Sequence, residues 1–154
     1  MRRLALTLAT FGYIGHVPVA PGTFGSAAGL LIFWAVRSTG SMAVEVGTIV
    51  GLLALGIWSA GVAERHFGAV DPGPVVIDEV FGMLITLAFL PVNLTGAILG
   101  FLVFRVLDIV KPWPAGRFEA WPGGLGVMAD DGMAAVYGNL LMHGAIAVSP
   151  GWFS

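Results

Sequence analysis

The sequence predicts an all-α, multi-helical integral membrane protein with a single domain over residues 1–154. Its mean hydropathy is +0.91, and 57% of its residues are hydrophobic. Only 10% are charged, against roughly 25% in an ordinary soluble domain, which is too few to cover a water-soluble surface. The apolar residues also fall in long uncharged runs between short polar segments, a pattern typical of helices embedded in lipid.

Five apolar runs predict about five membrane-embedded helices. They cover approximately 24–36, 46–62, the two halves of 80–104, and 132–148. Pro91 and Asn93 divide the third run from the fourth, because proline disfavours a continued helix and asparagine favours a turn. Crossing the hydrocarbon core takes about 20 residues. The second and fifth runs are long enough, whereas the third and fourth either span with help from their neighbours or form a hairpin that reaches partway.

Five spans would place the polar segments alternately on the two sides of the membrane, and the basic residues are unevenly divided between these sides. Only Arg37 lies on the far side, and the other six share the side of the N-terminus: Arg2, Arg3, Arg65, Arg105, Lys111 and Arg117. The positive-inside rule makes that side cytoplasmic. All acids except Glu45 lie there too, and since acids carry little topological information, their clustering indicates a chemical site.

Two function classes are disfavoured by composition. The formal net charge of −2 offers no basic surface for nucleic acid. The absence of cysteine excludes disulfides, thiolate metal sites and cysteine nucleophiles.

The first polar segment, residues 18–26, places two prolines and two glycines before a helix. Thr23 and Ser26 offer hydroxyl groups at the helix start, where free backbone N–H groups favour an anion. Taken alone, the segment favours simple N-capping over an anion site.

The second segment places Asp78 and Glu79 next to each other between apolar residues at the start of a helix. The helix dipole favours acids there by about 0.3–1 kcal/mol, which explains one exposed acid better than two in an apolar context. Carboxylates near a membrane are costly and usually functional. Metal ligation or catalysis is therefore favoured over capping.

The third segment ends the fourth helix. Arg105, Asp108 and Lys111 are spaced three apart and share one helix face before Pro112 ends the helix. They form either a local salt-bridge ladder or a cation-holding carboxylate flanked by two phosphate-binding cations, of which arginine suits bidentate contact.

The fourth segment is a glycine-rich stretch, residues 123–126, that leads to Asp130 and Asp131 at the predicted start of the last helix. No Gly-Lys-Ser/Thr follows, so it is not a P-loop, and no strand precedes it, so it is not a dinucleotide fingerprint. The aspartates either cap the helix or serve a site.

All four segments fall on the predicted cytoplasmic side, so their polar residues can converge. The oxygen-rich set suits Mg²⁺ better than zinc, with candidate ligands Asp78, Glu79, Asp108, Asp130 and Asp131. Arg105 and Lys111 would complement a phosphate, and the membrane setting indicates that this phosphate belongs to a lipid.

At these motifs the sequence resembles the phosphatidylglycerophosphatase A family. The matching stretches, in family order and spacing over essentially the whole chain, are Pro21-Gly22-Thr23 with Gly25-Ser26, Ile77-Asp78-Glu79 with Gly82, Phe104-Arg105 with Asp108 and Lys111-Pro112-Trp113-Pro114, Gly123-Gly124 with Gly126, and Asp130-Asp131.

The resemblance implies an all-helical enzyme of phospholipid biosynthesis in the bacterial inner membrane, with its site facing the cytoplasm. The expected reaction is Mg²⁺-dependent hydrolysis of the phospholipid phosphatidylglycerophosphate to phosphatidylglycerol and inorganic phosphate. We expect Asp131, Asp108 and Asp78 to be catalytic and Arg105, Lys111, Thr23 and Ser26 to bind phosphate. The alternatives are a cation-binding transporter and a non-catalytic lipid-binding membrane subunit.

Overall fold

The computed structural model describes residues 1–154, and all its regular secondary structure is helical. The α-helices are α1 (Arg2–Ala9), α2 (Pro21–Arg37), α3 (Met42–Phe67), α4 (Ile77–Leu87), α5 (Leu94–Val110), α6 (Ala115–Phe118), α7 (Gly124–Val148) and α8 (Pro150–Phe153). A short 3₁₀ turn, Ile14–His16, precedes α2. The all-α prediction is confirmed.

Local sequence signals set several helix ends. The Ser41 side chain accepts a hydrogen bond from the Val44 N–H at the start of α3, and Gly68, with φ of 69°, ends that helix in the left-handed conformation. Asn93 Oδ1 accepts from the Gly96 N–H, 2.9 Å away, at the start of α5. The predicted break around Pro91 thus lies between α4 and α5.

Helix α4 lies at the centre of the bundle and contacts α2, α3, α5 and α7. It is buried along nearly its whole length. Its neighbours approach closely where they carry glycine: Gly29 of α2 packs against Val80 and Met83. At the far end of α4, Asn139 Nδ2 of α7 donates to the carbonyl oxygens of Ile85, Thr86 and Ala88 at 3.1–3.2 Å. Both ends of α4 are therefore held by other helices.

Helix α7 begins earlier than the apolar run at 132–148 predicts. Gly123, with φ of 67°, starts the helix, and Gly124 follows where its backbone crosses α3. A Cβ at Gly124 would overlap the Ile57 carbonyl oxygen, so glycine allows this crossing. The prediction that Asp130 and Asp131 open the helix is wrong, since they lie in its second turn.

One helix, α3, is long and apolar enough to cross a membrane, by length and composition. Helices α2 and α5 have 17 residues each and α4 has 11, at or below the lower end of the roughly 17–25 residues that a span needs. The number of membrane-embedded helices, about five, therefore stays a prediction.

Candidate active site

The four polar segments meet at one end of the bundle. Contributions come from the first two turns of α2, the first turn of α4, the last two turns of α5 and the second turn of α7. The contacts described below join these elements directly.

Three carboxylates form the centre of the site. Asp78, Glu79 and Asp131 each place an oxygen within 4.8 Å of the other two. Asp78 is 5% exposed and Asp131 is 2% exposed. One oxygen of each carboxylate, namely Asp78 Oδ1, Glu79 Oε2 and Asp131 Oδ2, is buried without a hydrogen-bond partner. Buried acceptors of this kind are costly unless something binds them, so the trio fits a cation.

Burial raises the pKa values of all three carboxylates of the trio. Burial, followed by the charge of Glu79, raises the pKa of Asp78 well above its ordinary value. Burial and then the charge of Asp78 do the same to the pKa of Asp131. For Glu79, burial and the charge of Asp131 raise the pKa to about 8. Desolvation and mutual repulsion both disfavour the ionised forms, and a bound cation would reverse that preference.

Arg105 of α5 borders the trio. Its Nη1 lies 2.5 Å from Asp108 Oδ2, 3.8 Å from Glu79 Oε1 and 3.5 Å from the Ser26 Oγ. The Ser26 hydroxyl donates to the Gly22 carbonyl at 2.9 Å. The Arg105 Nε is buried and has no partner, which leaves a charged donor available beside the carboxylates.

Gly22 lies against the same group of side chains. A Cβ at this position would overlap Glu79 Oε1 and lie 3.0 Å from Arg105 Nη1. Thr23, the other predicted phosphate-binding residue on α2, is half-buried in the first helical turn.

A second group of charges surrounds Lys111. Its Nζ lies 2.5 Å from Asp130 Oδ2, 3.7 Å from Glu119 Oε2 and 3.8 Å from Asp71 Oδ2. Burial alone would lower the pKa of Lys111, but the hydrogen bond and charge of Asp130 raise it above its ordinary value. Burial raises the pKa of Asp71 to about 6, against the opposing charge of Lys111.

The five predicted ligands thus have different partners. Asp78, Glu79 and Asp131 form the trio, Asp108 pairs with Arg105, and Asp130 pairs with Lys111. A ligand role for Asp108 and Asp130 stays a prediction.

Sequence reasoning missed three residues. Asp71 belongs to the loop between α3 and α4, and Glu119 follows α6. Neither stands in a distinctive motif. The only sequence signal for them is that they lie on the same predicted side of the membrane as the other acids. Gly22 lies within the Pro21-Gly22-Thr23 motif, but its contact with Glu79 depends on how α2 packs on α4.

Comparison with known proteins places the chain among lipid phosphatases. Residues 7–146 match the sequence model of the family described as phosphatidylglycerophosphatase A. Phosphatidylglycerophosphatase A of Escherichia coli is 35% identical over 79% of this chain and 72% of the relative. The Haemophilus influenzae protein of the same name is 33% identical over 83% and 80%.

A Bacteroides thetaiotaomicron protein, provisionally assigned as a phosphatidylinositol-3-phosphatase, is 37% identical over 83% of this chain and 84% of its own. No solved structure matches the chain.

Proposed function

This chain belongs to the phosphatidylglycerophosphatase A family, and from that premise we propose that it is a Mg²⁺-dependent phosphatidylglycerophosphatase. It would hydrolyse the terminal phosphate monoester of phosphatidylglycerophosphate and release phosphatidylglycerol and inorganic phosphate. The observation that carries the proposal is the buried trio of Asp78, Glu79 and Asp131, whose unpartnered oxygens lie beside the Arg105 guanidinium.

The donor set supports magnesium in particular. It contains only carboxylate oxygens, the hard ligands that Mg²⁺ prefers, and no histidine or cysteine that would favour zinc. Asp78, Glu79 and Asp131 would hold the ion, with Asp108 and Asp130 as further ligands. When bound, Mg²⁺ supplies charge neutralisation and Lewis acidity toward a phosphoryl oxygen.

The basic residues would bind and orient the phosphate. Arg105 offers its unpartnered Nε–H, while its Nη1 remains tied to Asp108. Positioned cations of this kind neutralise the charge that develops in phosphoryl transfer. Lys111 would act from the side of Asp130, and the hydroxyl groups of Thr23 and Ser26 would supply neutral donors.

The catalytic carboxylates would be Asp131, Asp108 and Asp78. One of them would accept the proton of the attacking water. The alternative is direct attack by an aspartate on phosphorus, which forms an aspartyl-phosphate and expels the lipid alcohol before water releases the phosphate. Trapping a phospho-enzyme at acid pH would support the second route and exclude the first.

The membrane setting is part of the proposal. Large apolar side chains are exposed on helices all around the bundle, including Leu31, Val50, Leu102 and Leu140. Such a surface is unusual for a soluble monomer. Together with the candidate span α3 and the bias of basic residues, it supports a multi-pass protein of the bacterial inner membrane whose site faces the cytoplasm.

The decisive experiment measures phosphate release by the purified full chain in detergent micelles. Phosphatidylglycerophosphate is the expected substrate, and phosphatidylinositol 3-phosphate is the comparison that the Bacteroides relative suggests. We expect release only with a divalent cation and a preference for the first lipid. Preference for the inositol lipid would reassign the substrate. No release with any divalent metal would favour a transporter or a non-catalytic lipid-binding subunit.

A further inference from the structure

Two adjoining cavities lie on the outer face of α1 and α3, where the proposed reaction uses no residue. The larger, about 480 Å³, is lined by Met1, Arg2, Trp58, Val62, Arg65 and His66. The smaller, about 160 Å³, includes Arg3 and again His66. The larger volume falls within the roughly 300–1,000 Å³ of small-molecule sites, so it has room for a lipid headgroup.

The positive charge at these cavities is not balanced. Arg2, Arg3 and Arg65 are exposed, and none is within 4.0 Å of a carboxylate. No acid lines either cavity. Three of the seven basic residues of an otherwise acidic chain thus lie at these cavities without an ion pair, which favours an anionic ligand.

The nearest acid in sequence does not compensate this charge. Glu64 precedes Arg65 on α3, but its Oε1 accepts a hydrogen bond from the Asp71 backbone N–H at 3.4 Å. Glu64 also lines a different cleft, beside residues 119–123, and Arg65 lines both this cleft and the larger cavity. Glu64 is therefore turned toward the loop that leads to α4.

Apolar residues border the cationic cavities. Trp58, which lines the larger cavity, is 40% exposed, and Phe67, which lines the smaller, is 38% exposed. Trp58 and Arg65 both lie in the last turns of α3, the helix that could cross a membrane. Tryptophan is enriched where a helix leaves the bilayer, and basic residues there attract anionic lipids. A ligand with a negative headgroup and an apolar tail matches both features.

We propose that the face formed by Arg2, Arg3, Trp58, Arg65 and His66 binds the headgroup of an anionic membrane phospholipid, at a site separate from the carboxylate trio. The occupant is a lipid of the surrounding membrane rather than a free phosphate. A free anion would use the arginines but would gain nothing from Trp58 and Phe67. The site would hold the α3 end, and the loop that follows it, at the membrane surface.

The test is binding of phosphatidylserine, which is anionic but neither substrate nor product of the proposed reaction, to the purified full chain in neutral detergent micelles. Bound lipid is counted by native mass spectrometry in the presence of EDTA, with phosphatidylcholine as the zwitterionic comparison. We expect preferential binding of phosphatidylserine that weakens with added salt. Each basic residue at an anionic surface contributes roughly 1 kcal/mol, so Arg65→Gln should weaken binding about fivefold.

The matched control is Arg117→Gln, which removes an arginine that is also exposed, near the site end, and should change phosphatidylserine affinity less than about twofold. The combined variant Arg2→Gln, Arg3→Gln, Arg65→Gln should lose most of the anionic preference. Equal effects of Arg65→Gln and Arg117→Gln, or an unchanged combined variant, would overturn the proposal. Displacement by inorganic phosphate at equal concentration would assign the face to free anions instead.

Phosphate release from added phosphatidylglycerophosphate is recorded on the same protein samples with Mg²⁺. A wild-type chain that binds phosphatidylserine but releases no phosphate would refute the proposed reaction and leave this inference standing. Phosphate release without any preference for phosphatidylserine would support the proposed reaction and refute this inference.

Discussion

Gly22 and Glu79 are in such close contact that a Cβ at position 22 would overlap the Oε1 atom of the carboxylate. The contact fixes where Glu79 can point, because the α2 backbone forms one wall of the carboxylate trio.

The variant Gly22→Ala should therefore displace Glu79 and weaken Mg²⁺ binding by roughly tenfold or more, as supporting contacts around metal ligands commonly do. Gly51→Ala is the control, since a Cβ there meets nothing within 4 Å and alanine favours a helix over glycine by roughly 0.5–1 kcal/mol. Isothermal titration with Mg²⁺ and thermal unfolding would measure both. Equal Mg²⁺ affinity in the two variants would contradict the assigned position of Glu79.

Asp131→Asn should change stability in opposite directions with and without metal. In EDTA the neutral amide removes the cost of burying an acid and, after it, the repulsion with Asp78, so the melting temperature should rise. With Mg²⁺, the variant should lose a ligand and Mg²⁺-dependent turnover should fall about a hundredfold or more. Glu45→Gln, at the far end of α3 beside Phe89, is the control and should change neither. Intact turnover in Asp131→Asn would remove that residue from the mechanism.

Stability should depend on pH through Glu79. Its pKa is raised from 4.5 to about 8 in the folded protein, so between these values the folded state keeps a proton that the unfolded chain has released. The free energy of unfolding in EDTA should then fall as pH rises through this window. Glu79 contributes at most about 1.4 kcal/mol per pH unit, and Asp78 and Asp131, whose pKa values are also raised, add to the fall. The Glu79 contribution is fully present below pH 4.5 and absent above about pH 8.

Saturating Mg²⁺ should cancel that fall, because binding requires ionised carboxylates and so strengthens with pH as the metal-free protein loses stability. Denaturant unfolding at several pH values between 5.5 and 8.5, with EDTA and with Mg²⁺, would measure both slopes. A metal-free protein whose stability stays constant over this range would show that the trio is ionised without a cation.

Arg105→Lys should separate phosphate binding from metal binding. Lysine keeps the charge beside Glu79 and Asp108 but lacks the buried Nε–H. Removing one donor to a developing charge commonly costs about a hundredfold in kcat, so turnover should fall by that order while Mg²⁺ affinity changes little. Arg117→Lys, on the exposed surface, controls for the exchange of basic side chains. A parallel loss of Mg²⁺ affinity would show that Arg105 acts mainly by positioning the carboxylates.

Much of this architecture could be predicted from local sequence. The break at Pro91 and Asn93 follows from residue chemistry alone, and the hydrophobic runs identify α2, α3, α4, α5 and α7. The start of α7 could not be predicted in the same way. Polar Asp130 and Asp131 interrupt the apolar pattern, whereas the helix begins at Gly124 because that glycine packs on the Ile57 backbone of α3.

In the site, too, local sequence predicts some residues, whereas other contacts depend on the tertiary fold. The motifs predicted Asp78, Glu79 and Asp131, which the fold brings together. The placement of Asp130 beside Lys111, with Asp71 and Glu119 as further partners, depends on the loop before α4 and the turn after α6. No spacing along the chain encodes contacts between these separate segments.

The hydrogen bonds of Asn139 give α7 a role in aligning the bundle. Asp131 and Asn139 lie on the same helix, about 12 Å apart along its axis at 1.5 Å per residue. Asp131 lies beside Asp78 and Glu79 of the first turn of α4, and Asn139 holds the last turn through three carbonyl oxygens. Sliding α7 along α4 would break the hydrogen bonds of Asn139 and move Asp131 away from the other two carboxylates. The side-chain amide at the far end therefore helps to set the axial register on which the spacing of the carboxylates depends.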